Sequence, residues 1–135
     1  MVDMLHVIHS VPKVPNDVPK ENRINWITEN LNRFCVLPWL NLNTNPNGDL
    51  KLCCSISLDH FVNTMEGSKS KILNLGYDDI SSIWNGPYMS NVRNLHRQNN
   101  GSHECYECFR LEKVTGHSPR KGQNVVWVDR KQTDK

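Results

Sequence analysis

Cys35-Val36-Leu37-Pro38-Trp39-Leu40-Asn41-Leu42-Asn43-Thr44-Asn45-Pro46-Asn47-Gly48-Asp49-Leu50-Lys51-Leu52-Cys53-Cys54 is the stretch on which the fold turns. Leu40 and Leu42 alternate with Asn41 and Asn43, and Leu50 and Leu52 alternate with Lys51, on either side of Asn45-Pro46-Asn47-Gly48-Asp49. Period-two alternation around a Pro/Asn/Gly turn predicts a β-hairpin. Cys35 and Cys53 lie at its outer ends, so the turn makes usable two thiols with seventeen residues between them. A second pair, Cys105-x-x-Cys108, follows after a long gap. Two thiols from one segment and a C-x2-C from another can wrap one zinc ion or one iron–sulfur cluster, and spacing alone does not separate the two. The fifth cysteine, Cys54, reads as a small buried apolar residue. The alternative is that it replaces Cys53 as a ligand, since neighbours on a strand point to opposite faces.

Outward from this stretch, residues 1–19 contain Pro12, Pro15 and Pro19 and read as an extended arm with a short strand at 5–8. Pro19 opens an amphipathic helix over 20–33, with Ile24, Ile27 and Leu31 on one face. Residues 60–73 read as a polar loop, and Asp78-Asp79 as the cap of a short helix reaching Trp84. Pro87 starts another helix running to about Arg97, with Met89, Val92 and Leu95/His96 on one face, before Gly101 ends it. Cys105 and Cys108 then fall in a loop or helix start, a strand is expected at 125–128, and residues 129–135 form a charged tail. The sum is a small α+β domain over 20–128, a β-hairpin and short helices wrapped around a four-cysteine metal centre.

Composition narrows the function. A chain of 135 residues that is 37% hydrophobic, with mean hydropathy −0.61, has a modest core and gains much from a bound metal. Net charge is +2 with no dense basic stripe, which argues against nucleic-acid binding. No apolar run has membrane-spanning length, and Asp3, His6 and His9 interrupt the apolar start that a signal peptide needs. The expected location is therefore the cytoplasm. Thiols stay reduced there, and an odd cysteine count does not complete a disulfide framework.

The order of motifs resembles that of the SPASM/twitch domains of radical S-adenosylmethionine enzymes. Twelve residues separate Cys35 from Gly48, and residues 49–52 lead to Cys53. Leu75-Gly76, Ile80-x-x-Ile83-Trp84-Asn85, Met89, Arg93, Gly101, Cys105-x-x-Cys108, Glu112, Gly116, Ser118 and Arg120 then follow in the family's order, so the resemblance spans about residues 34–120. It implies one auxiliary [4Fe–4S] cluster on Cys35, Cys53, Cys105 and Cys108, in the shorter twitch form. The further cysteines of a two-cluster domain are missing after Cys108. The C-x3-C-x2-C of the radical core does not occur. The resemblance thus implies an accessory part that carries electrons or holds a partner or peptide substrate for a radical enzyme core, and that is not catalytic alone. A structural zinc module is the alternative.

Other residues have two readings each. Trp39 and Phe109 could shield a cluster or simply pack in the core. Arg93 and Arg120 could offset cluster charge, dock a partner, or sit solvated at the surface. Glu112 reads as a structural carboxylate. His103, two residues before Cys105, is an alternative ligand, His6 and His9 read as idle, and His60, His96 and His117 carry no partner pattern.

Overall fold

The computed structural model describes residues 7, 10–53 and 60–133, with side chains as far as Val128. A 3-10 turn at Lys20–Asn22 leads into α1 (Arg23–Asn30), followed by α2 (Leu37–Leu40), β1 (Asn43–Thr44) and β2 (Leu50–Lys51). After a 3-10 turn at Gly67–Lys69 come α3 (Ile80–Trp84), α4 (Pro87–Arg97), a 3-10 turn at His103–Cys105, α5 (Tyr106–Thr115) and α6 (Pro119–Thr133). This is a small α+β fold, as its patterning predicts. No helix among the described residues is long and apolar enough to cross a membrane.

The hairpin forms where the alternation places it, antiparallel, with Asn43 opposite Lys51 and Thr44 opposite Leu50. Its turn closes through Gly48 N–H to the Asn45 carbonyl and Asn45 N–H to the Asp49 carbonyl, both 2.9 Å. Gly48 takes φ +94°, which a side chain would resist. The strands are shorter than the leucine alternation suggests, because residues 37–40 turn helical, with Pro38 fitting the first turn of α2. The polar stretch after residue 60 is not a free loop. It returns along β2, with Val62 N–H donating to Leu50 O at 2.8 Å and Leu50 N–H to Leu73 O at 3.2 Å.

Asp79 caps α3, its carboxylate accepting from Ser82 N–H at 3.0 Å, and Pro87 opens α4, as their positions predict. Met89, Val92 and His96 are fully buried along one face of α4, while Leu95 is half-buried. The core is divided in two. One cluster packs Leu50, Leu52 and Val62 against Ile83, Trp84, Met89 and Val92. The other gathers Val11, Val14, Ile27, Phe34, Trp39 and Val128. Val11 and Val14 thus tie the N-terminal segment to the second cluster; of the strand expected at 5–8, only Val7 lies within the described residues.

Two expectations are corrected. The helix expected over 20–33 stops at Asn30, because the chain turns there to bury Leu31 and Phe34. Residues 125–128 are not a strand but part of α6. Ser118 Oγ accepts from Lys121 N–H at 3.3 Å ahead of Pro119, so a Ser-Pro start launches a helix that packs on α1 and continues to Thr133.

Candidate metal centre

The sequence delivers each thiol on a different kind of backbone. Cys35 sits between Phe34 and Val36, just ahead of α2, 6% exposed, with the Leu37 N–H directed at its sulfur. Cys53 leaves β2 and packs, half-buried, against the first core cluster. Cys105 is the N-cap residue of α5, and buried Cys108 lies in the first turn of that helix. None of these four is in a disulfide. Cys54 lies outside the described residues.

The fold brings the four together. Burial pushes the Cys35 thiol far above its ordinary range, and Cys105, Cys53 and Cys108 add to the rise. Burial also raises Cys105 to about 11, with Cys53 and Cys108 contributing and the Ser102 hydroxyl opposing. Cys108 is raised by burial, against the Arg120 backbone N–H and the Ser118 hydroxyl. Four buried or half-buried thiols are poor anions by themselves, but a cation among them reverses that balance and deprotonates them.

Mutual reach is not convergence on a point. Among the described residues no three His, Cys, Asp or Glu side chains are placed to hold a single metal ion. The Leu37 and Arg120 backbone N–H groups and the Ser102 hydroxyl beside the sulfurs suit an anionic thiolate centre. The donor set therefore fits thiolate-bound metal centres, an iron–sulfur cluster among them.

His96 is the residue that sequence reasoning missed. It is fully buried on α4, and its Nδ1 accepts the Cys35 backbone N–H at 3.0 Å. Its Nε2 lies 3.4 Å from Ser102 Oγ and 3.7 Å from Cys105 Sγ. Burial holds its pKa down to about 4, so the ring is neutral. The available signal was its position four residues after Val92 on the buried stripe of α4, a place where a polar ring needs partners.

The arginines are not at the surface. Arg120 is 3% exposed, donates from Nε to Glu112 Oε2 at 2.9 Å and from Nη1 to Phe34 O at 2.6 Å, and pairs with Glu112 through Nη2 as well. Glu112 also accepts from Ser118 Oγ at 2.7 Å. This network braces α5, α6 and the backbone beside Cys35. Arg93, equally buried, donates to Pro38 O at 2.8 Å and Trp84 O at 2.7 Å and lies 4.5 Å from the Trp84 ring centre. Both arginines therefore bond carbonyls and are unavailable for docking. Trp39 is core, with Nε1 donating to Ser10 Oγ at 2.8 Å. Phe109 lies under Arg33, 4.2 Å from its guanidinium carbon, and against Gly101, where a Cβ would meet it at 2.6 Å.

His103 does not turn toward the thiols. Its side chain is 77% exposed, and Nε2 pairs with buried Glu104 at 3.3 Å. His60, 5.2 Å from it ring to ring, joins Tyr88 and Glu104 in lining a pocket of about 440 Å³.

The SPASM family model, described as an iron–sulfur cluster-binding domain, matches residues 35–109, more than half of the chain, from Cys35 through Cys108. No curated protein matches the chain, and no solved structure does.

Proposed function

We propose, because the chain belongs to the SPASM family of iron–sulfur cluster-binding domains, that Cys35, Cys53, Cys105 and Cys108 hold one [4Fe–4S] cluster. In this reading the domain serves electron transfer, or partner or peptide binding, for a radical S-adenosylmethionine enzyme core, in the cytoplasm. The observation that carries it is the family match, which runs across all four cysteines, together with a fold in which Cys53, Cys105 and Cys108 each act electrostatically on Cys35. A bound cluster supplies one-electron chemistry. With four thiolates no iron keeps an open position, so the chain's contribution is to position and insulate.

Four thiolates on a 2+ core carry about −2 of charge. That charge must be met by dipoles here, since the guanidinium of Arg120 is engaged by Glu112. The Ser102 hydroxyl, the Leu37 and Arg120 N–H groups and the first turns of α5 and α6 supply them. Pro38 and Trp39, both buried, exclude water on the Cys35 side.

Anaerobic purification with iron and acid-labile sulfide analysis tests the reading. About four of each per chain are expected, with visible absorption that bleaches on reduction. Alanine at any of the four cysteines should abolish it, while Cys54→Ala should keep it. One zinc and no sulfide would replace the cluster with a structural zinc module. Full cluster content in all four alanine variants would refute the ligand set.

A further inference from the structure

We infer that His96 is a positioning residue for the metal centre, donating a hydrogen bond from Nε2 to the Cys105 sulfur and so raising the centre's electron affinity. This rests on the cluster reading above.

The tautomer follows from the partners. The Cys35 backbone N–H can only donate, and it points at His96 Nδ1 from 3.0 Å. Nδ1 is therefore the acceptor, and the ring's single proton lies on Nε2. Near that proton lie Ser102 Oγ at 3.4 Å and Cys105 Sγ at 3.7 Å, and the Arg33 carbonyl also reaches the ring. Ser102 Oγ is itself 3.4 Å from the same sulfur. Ring and hydroxyl thus converge on one side of Cys105. When Cys105 is a thiolate, it is the strongest acceptor of the group, and the N–H···S contact becomes charge-assisted.

The ring is held in this pose. It is 0% exposed, and Phe34 meets it edge-on with centroids 6.3 Å apart. Through it α4 grips two ligand segments, the backbone of Cys35 and the side chain of Cys105. A donor to a ligand sulfur stabilises the more negative, reduced state and so raises the potential.

Two substitutions separate the ends of the ring. His96→Asn keeps an acceptor at the Nδ1 position and loses the distal donor, whereas His96→Gln can place an N–H near Nε2. Redox titration of the iron-loaded full chain should find the asparagine variant shifted to more negative potential. The reduced-to-oxidised ratio at fixed poise should fall about tenfold, about 59 mV for one electron. The glutamine variant should stay near the parent. A loaded asparagine variant with the parent potential, or equal shifts in both variants, would overturn the inference while leaving the cluster reading intact. Should neither variant load, electron–nuclear double resonance on the reduced parent, labelled with 15N-histidine and exchanged into D2O, decides. One coupled histidine nitrogen is expected, whatever exchangeable protons the other N–H and O–H donors contribute, and its absence overturns the proposal. A parent chain that takes up zinc but no iron or sulfide defeats the cluster reading, and this inference with it.

Discussion

Arg120 and Glu112 show what a buried ion pair contributes beside the thiols. Arg120 Nη1 reaches the Phe34 carbonyl, so the pair links the α5–α6 corner to the residue before Cys35. Truncating one partner leaves the other charge buried. Arg120→Ala should therefore cost about 3 kcal/mol in denaturant unfolding of the loaded protein, the low end of the range because Glu112 keeps 13% exposure. A loss under about 1 kcal/mol would mean that water screens the pair as it does at a surface. Burial alone would raise the Glu112 carboxyl, but hydrogen bonds from Arg120 and Ser118 outweigh it and hold the group below the ordinary carboxylate range. A depressed folded pKa stabilises above the unfolded value, about 4.3, and that stability is lost as pH falls through the folded one. The stability gap between parent and Glu112→Gln should accordingly be widest above pH of about 5 and close on acidification; a gap independent of pH would contradict this. The thiols stand out in sequence because few residue types bind soft metals. Arg93, Arg120 and His96 do not, because their partners are the Pro38, Trp84 and Phe34 carbonyls and the Cys35 N–H, backbone groups that leave no mark on residue type.

At the scale of elements, α4 and the hairpin were readable because each pairs a start or turn signal with a consistent apolar period. α6 was misread over 125–128 because Val125, Val126 and Val128 favour strands by composition, and the helix hides its period. Among its described residues the buried positions are Arg120, Asn124 and Val128, spaced by four, and two of these three are polar. Asn124 Nδ2 donates to Phe34 O at 2.8 Å, so that face satisfies a backbone rather than forming an apolar stripe. The hairpin turn has a comparable hidden brace. Asn74 Nδ2 donates to Asn47 O at 2.9 Å and Asp49 Oδ1 at 3.0 Å, and its Oδ1 accepts from Gly76 N–H. A Cβ on Gly48 would meet that Oδ1 at 2.7 Å. Asn74→Ala should cost about 1–2 kcal/mol. Gly48→Ala should cost at least about 1 kcal/mol from its left-handed φ alone, and more from the clash. The double variant should lose less than the sum, since removing the amide clears the space. Additive losses in a denaturant double-mutant cycle would show that Asn74 does not confine the turn that aims β2 at Cys53.

Across the whole molecule, the thiols span a division in the core. Cys53 packs on the cluster of the hairpin, α3 and α4, and Cys35 is flanked by Phe34 and Val36 of the cluster that α1 and α6 complete. α5, which carries Cys105 and Cys108, has no buried residue except Cys108. Apolar packing therefore does little to fix α5. Its attachments are the two cysteines, the Glu112–Arg120 pair and the half-buried Phe109. α4, by contrast, buries Tyr88, Met89, Val92, Arg93 and His96 and is held whatever the thiols bind. Folding and metal binding should then be coupled unevenly. Stripping iron with a chelator should raise amide exchange across residues 103–115 at least about tenfold, equivalent to about 1.4 kcal/mol of lost local stability, with α4 changing much less. Equal loss in both helices would make the domain one cooperative unit that the centre holds as a whole. Unchanged exchange in α5 would mean that Glu112 and Arg120 suffice to hold it, and that the centre is a passenger on a scaffold already closed.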